Sequence, residues 1–129
     1  MIYLDSSVVL ARVFAEANSP SDAFWLQRFT SSKLLEYEVM NRVNLRADLA
    51  QRADNARVLI DNVELIDLSP IALARALAPF PMPLKTLDGL HLATMHFLRA
   101  SGQSFRLASY DKRLLAAASA IGVAVETGL

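Results

Sequence analysis

The chain of 129 residues contains no cysteine. Disulfides, thiolate metal sites and cysteine nucleophiles are therefore excluded together, and a reducing compartment suits the protein. Glycine (4) and proline (5) are few and scattered, while hydrophobic residues make up 53% of the chain. That composition excludes a disordered or low-complexity protein. No apolar run is long enough to cross a bilayer. The N-terminus lacks the charged start, apolar stretch and small-residue cleavage site of a signal peptide. The expectation is a cytoplasmic protein with no membrane association. An excess of either charge is also missing, since 13 basic residues balance 13 acidic ones. This argues against a strong non-specific DNA binder, whose affinity comes from surplus Lys and Arg. There is no phosphate-cradling Gly-x-x-x-x-Gly-Lys-Ser/Thr loop, no Gly-x-Gly-x-x-Gly fingerprint and no serine in a Gly-x-Ser-x-Gly turn.

What the chain does contain is a set of isolated acids where apolar stretches end or a buried helix turns. Asp5 closes the run Met1-Ile2-Tyr3-Leu4, and Asp111 follows Phe105 to Tyr110. Asp88 opens an apolar helical stretch, and Glu38 lies near the start of another. Acids are seldom buried without a partner. Several meeting at one place repel one another unless a cation holds them. With the four set aside as ligands, the remaining charges are net basic.

The length fits one compact domain over residues 1–129, with no linker or repeat. Short apolar strands are expected at Ile2–Leu4, Phe29–Ser31, Val63–Leu68, Phe105–Ser109 and Val123–Val125. Helices are expected at Val8–Glu16, Ser21–Arg28, Pro70–Ala78, Thr86–Ala100 and Asp111–Ala120. A long helical stretch from Leu34 to Asn62 is expected to break near Ala53, with the Arg46/Asp48 and Arg52/Asp54 spacing marking a solvated face. Pro79, Pro81 and Pro83 mark a rigid loop, and Gly102 ends the helix before it. The helix over 86–100 is apolar around most of its surface and should be central. Strands alternating with helices imply a parallel sheet covered on both faces. In such sheets, sites form beyond the carboxyl ends of the strands. Asp5 and Asp111 fall at that edge, and Asp88 and Glu38 can reach it.

Each acid also has a plainer reading. Asp5 and Asp111 suit helix caps, and Asp88 suits the positive end of a helix dipole. Glu36 competes with Glu38, and spacing does not choose between them. His91, one turn after Asp88, either shares a metal or is a partly buried histidine with a hydrogen-bond partner. Ser6, Ser7 and Ser109 read as caps or donors rather than nucleophiles. Trp25, Phe24 and Phe29 read as core or partner-contact residues.

Three stretches, Tyr3-Leu4-Asp5-Ser6-Ser7, Lys85-Thr86-Leu87-Asp88-Gly89-Leu90-His91-Leu92-Ala93-Thr94 and Ser109-Tyr110-Asp111-Lys112-Arg113-Leu114, resemble the PIN domain. The likeness is greatest to its VapC branch, the toxin ribonucleases of bacterial toxin–antitoxin pairs. A fourth stretch, Ser31-Ser32-Lys33-Leu34-Leu35-Glu36-Tyr37-Glu38-Val39, resembles the family's Ser-x-Leu-x-x-x-Glu segment and places Glu38 at its acid. The resemblance covers essentially the whole chain. Gly89 departs from it, standing where alanine is commoner. It implies a three-layer α/β/α sandwich with a mainly parallel central sheet, and a cleft for Mg²⁺ or Mn²⁺. It further implies endonuclease activity on RNA, a cognate antitoxin and a homodimer. Asp5, Asp88, Asp111 and Glu38 are then the metal-binding and catalytic acids, Asp5 and Asp111 foremost, with Ser6 and Ser109 orienting them. A second reading is a catalytically weak partner- or RNA-binding module of the same fold. A phosphatase or receiver fits poorly, because Ser7 stands where the former needs a second aspartate and Ser6 where the latter needs an adjacent acid.

Overall fold

A computed structural model describes residues 1–46 and 51–129. Among these residues five strands form one sheet, and every pairing in it is parallel. The strands are β1 (Ile2–Leu4), β2 (Phe29–Ser32), β3 (Val63–Ile66), β4 (Arg106–Ala108) and β5 (Ala124–Val125), in the order β3-β2-β1-β4-β5. The helices are α1 (Ser6–Val13), α2 (Leu34–Asn44), α3 (Arg52–Asp61), α4 (Pro70–Leu77), α5 (Thr86–Ala100) and α6 (Lys112–Ala120).

The strand period of two sorts the side chains of β1 onto two faces. Ile2 and Leu4 join a core with Val8 and Val9 of α1, Leu35, Val39 and Val43 of α2, and Ala56 and Ile60 of α3. Tyr3 points the other way, into a core with Leu92, Met95 and Leu98 of α5 and Leu114, Ala117 and Ala118 of α6. Two apolar cores on opposite sheet faces make the three-layer sandwich. β1 is fully buried, as its near-continuous apolar sequence requires.

Several boundaries differ from the expectations. Ser21–Arg28 is not an α-helix; it holds a 3-10 turn over Asp22–Leu26, which packs Phe24 against Trp25 and Phe29. The stretch after Leu34 does not break at Ala53, which lies inside α3. Instead α2 ends at Asn44; the expected solvated face there includes Asp48, which lies outside the described residues. Arg52 is not merely solvated: its Nη1 donates to the Val13 carbonyl at 2.5 Å, tying α3 to the end of α1. The helix over 86–100 has the expected bounds. It buries six residues, including His91, and Gly102 follows it at φ +84°, a conformation glycine adopts without strain. The proline-rich segment connects α4 to α5 and lines an apolar groove with Leu77, Phe80 and Met82. No helix among the described residues is long and apolar enough to cross a membrane.

Candidate functional site

The order β3-β2-β1-β4-β5 fixes where a cleft opens. From β1 the chain moves outward to β2 and β3, then crosses to the other side of β1 to add β4 and β5. The connections leaving β1 and β4 therefore diverge onto opposite faces, and a crevice forms beyond their carboxyl ends. Asp5 directly follows β1 and Asp111 follows β4 by three residues. A cavity of about 320 Å³ opens there, lined by Asp5, Glu38, Asp88 and Asp111 together with Ser6, Ser7, Arg42 and Tyr110. Acids from four chain segments thus share one cavity. Glu36 is not among its lining residues; it pairs with Arg57 at 3.1 Å on the surface.

Asp5 is the most buried of the four, at 5% exposure. It occupies the N-cap position of α1 yet makes no capping bond with its side chain. Instead Ser7 Oγ and Ser109 Oγ both donate to Asp5 Oδ2, at 2.6 and 2.8 Å. Each hydroxyl is itself oriented by a backbone N–H, that of Tyr110 for Ser7 and that of Asp111 for Ser109. Among the described residues no donor takes Oδ1. Ser109 was expected to orient a carboxylate. The contact of Ser7 with Asp5 depends on how the β1–α1 and β4–α6 connections meet, which no local pattern shows.

Asp111 caps a helix and lines the cleft at once. Its Oδ1 accepts the backbone N–H groups of Arg113 and Leu114, capping α6, while the residue lines the acidic cavity. Capping uses one carboxylate oxygen and leaves the other.

Glu38 is held at both oxygens. Ser6 Oγ donates to Oε2 at 3.3 Å, and His91 Nε2 bonds Oε1. His91 is fully buried, and its Nδ1 lies 2.7 Å from the Tyr3 hydroxyl. That hydroxyl also accepts the Ser32 backbone N–H at 3.1 Å. A carboxylate accepts, so His91 Nε2 donates to Glu38, and Nδ1 of the neutral ring accepts from Tyr3. Both ring nitrogens are occupied, so His91 is a buried histidine with partners and not part of a shared donor set with Asp88.

Asp88 accepts no hydrogen bond among the described residues. Burial raises its pKa from the ordinary aspartate value, and the charges of Asp111, Asp5 and Glu38 raise it further against an opposing contribution from His91. The shift records burial first and the neighbouring acids second. The donor set is oxygen alone, which suits a hard divalent cation and not zinc. Among the described residues, however, no three His, Asp or Glu side chains stand in an arrangement that could hold an ion by themselves. The acids line the cleft without closing into a cage. That arrangement fits a cation that keeps most of its waters and takes one or two carboxylates plus phosphate oxygens.

Comparison with known proteins agrees with this architecture. The PIN domain family model matches residues 2–120. The chain is 33% identical to Ribonuclease VapC46 of Mycobacterium tuberculosis over 127 residues, covering 96% of this chain and 95% of the relative. It is 29% identical to Ribonuclease VapC35 of the same organism, covering 97% and 95%. It is 27% identical to Ribonuclease VapC47, covering 95% and 93%.

Proposed function

The chain belongs to the PIN domain family, and from that premise we propose that it is an endoribonuclease, the toxin of a toxin–antitoxin pair, dependent on Mg²⁺ or Mn²⁺. The observation that carries the proposal is the cavity at the topological switch point, lined by Asp5, Glu38, Asp88 and Asp111. Full-length relatives named as VapC ribonucleases support the reaction and the substrate class.

Asp5 and Asp111 would be the principal ligands, each with one oxygen engaged by the protein and the other available. Asp88, which accepts no hydrogen bond among the described residues, and Glu38 would join them directly or through water. When bound, the cation neutralises charge on the phosphate and makes a coordinated water more acidic. The protein's own part is positional. Ser7 and Ser109 hold Asp5 at a single oxygen. Ser6 and His91 hold Glu38 in place, which limits the reorganisation needed when phosphate enters. The helix cap holds Asp111. The proposed reaction needs no side chain as a covalent nucleophile. The same family membership supports a cognate antitoxin covering the cleft and a homodimeric state.

The test is cleavage of a broad RNA pool by the purified chain with Mg²⁺ or Mn²⁺. Asp5→Asn is expected to abolish cleavage while leaving the circular dichroism spectrum unchanged. Cleavage at the wild-type rate by a folded Asp5→Asn chain would remove the assignment. A metal-loaded wild-type chain that binds RNA without cutting any member of the pool would favour the binding-module reading.

A further inference from the structure

Glu38 and Arg42 stand four residues apart on α2, with the glutamate first, the spacing and order at which such pairs close on a helix surface. This one does not close. Glu38 is drawn inward by His91 and Ser6, with one bond to each oxygen. The ion pairs among the described residues leave Arg42 without a carboxylate partner. Its side chain is exposed at the wall of the acidic cleft.

Arg42 also lines a second cavity, of about 240 Å³, which adjoins the first through Phe14, Glu16 and Arg42. Its remaining walls are Arg46 and Arg52. Arg46 has its guanidinium 5.7 Å over the Phe14 ring, and Arg52 donates to the Val13 carbonyl. Among the described residues that line this second cavity, three arginines stand with one carboxylate, Glu16, so its lining is more basic than that of the acidic cleft it adjoins at Arg42. In a chain with zero formal net charge, this contrast is a matter of placement.

We propose that Arg42, backed by Arg46 and Arg52, forms a subsite for a phosphodiester next to the scissile one in single-stranded RNA. The inference rests on the endoribonuclease reading and adds the direction in which the strand leaves the cleft, over the ends of α1 and α2 towards α3. Guanidinium suits this position because its planar donor fork matches two phosphate oxygens and stays charged at any working pH. A basic groove that follows the backbone gives affinity with little sequence preference. The turning of Glu38 towards His91 therefore has two effects: it fixes an acid in the cleft and leaves Arg42 for substrate.

The experiment measures binding of a fluorescein-labelled, random-sequence single-stranded RNA pool to the full Asp5→Asn chain in Mg²⁺, across a series of KCl concentrations. Arg42→Gln is expected to weaken binding about tenfold. It should also flatten the plot of log affinity against log salt by about 0.7, the loss of one phosphate contact to a single strand. Arg42→Lys should restore the salt slope but only part of the affinity. Arg99→Gln, a charge removed in the last turn of α5, should leave both unchanged. In the otherwise wild-type chain, Arg42→Gln should raise KM with little change in kcat. Affinity and slope unaltered by Arg42→Gln would overturn the subsite even if the wild-type chain cleaves RNA, and so would an effect of Arg42→Gln confined to binding a protein partner. Absence of any cleavage by the wild-type chain would instead strike the endoribonuclease reading itself.

Discussion

The Tyr3 hydroxyl lies 2.7 Å from Nδ1 of His91, whose other ring nitrogen bonds Glu38. Because Ser32 N–H also ends on that hydroxyl, Tyr3→Phe removes an acceptor from a buried amide and a donor from His91. It should cost about 1–3 kcal/mol of stability, read as a melting temperature lower by several degrees. His91→Phe should leave Glu38 without its main anchor and reduce RNA cleavage by about 10–100-fold, the usual effect of losing a partner behind a ligand. His91→Gln, whose amide can still donate, should recover part of the rate. Wild-type kcat in a folded His91→Phe chain would show that Glu38 needs no such support.

Asp5 depends on two hydroxyls that meet on the same oxygen. Ser109→Ala should lower cleavage roughly tenfold and Ser7→Ala by a similar factor, since each removes one of two bonds that orient a buried carboxylate. Ser7→Ala also strips the Tyr110 amide of its acceptor, and Ser109→Ala does the same to the Asp111 amide. The double variant should be less active than either single one, because neither hydroxyl is left to hold Asp5. Single-turnover cleavage rates check this. An unimpaired double variant would assign the hydroxyls to folding alone.

The alternating strand–helix pattern, the two-faced β1 and the edge positions of Asp5 and Asp111 were all legible in the sequence, because each depends on local periodicity and on a general rule about parallel sheets. The helix over 86–100 was legible to the residue, since its apolar run is bounded by a proline-rich segment and by Gly102. The helix end at Asn44 was not: the residues on either side favour helix, and the apolar pattern runs on from one helix to the next. The choice of Glu38 over Glu36 was not legible from spacing either. It requires knowing that His91, 53 residues away, reaches Glu38, while Arg57 takes Glu36. Ser7 was passed over for the same reason, since its partners Ser109 and Tyr110 lie more than a hundred residues further along the chain.

Asp88 carries the cost of the crowding. Its pKa is raised, first by burial and then by the neighbouring acids, so the fold disfavours its ionised form. A group of this kind takes stability away as pH rises through its range, because the unfolded chain releases the proton more readily. Asp88→Asn should therefore raise the melting temperature at neutral pH in metal-free buffer while abolishing cleavage. Added Mn²⁺ should stabilise the wild-type chain in proportion to its binding and stabilise Asp88→Asn less. Calorimetry with and without Mn²⁺ measures both effects. A lower melting temperature for metal-free Asp88→Asn would mean that the carboxylate stabilises the fold instead of straining it.

Glu126 provides the opposite sign, away from the cleft at the edge strand of the sheet. Arg106 donates from Nε and Nη2 to Glu126 Oε2, at 3.0 and 2.7 Å, and the Gly128 N–H reaches Oε1 at 2.8 Å. The Arg106 bond, followed by the Gly128 amide, holds the Glu126 pKa below the ordinary glutamate value. A lowered pKa stabilises the folded chain above the unfolded glutamate value, and that stability is lost as pH falls through the lower, folded value. Glu126→Gln should therefore melt below the wild type at neutral pH, with the gap narrowing and then closing in acid. The effect should be small, because the guanidinium is about half exposed and solvent screens the pair. RNA cleavage should not change, since Glu126 contributes nothing to the acidic cavity. A gap of constant size from neutral pH into acid would show that the loss comes from packing at β5 and not from the charge.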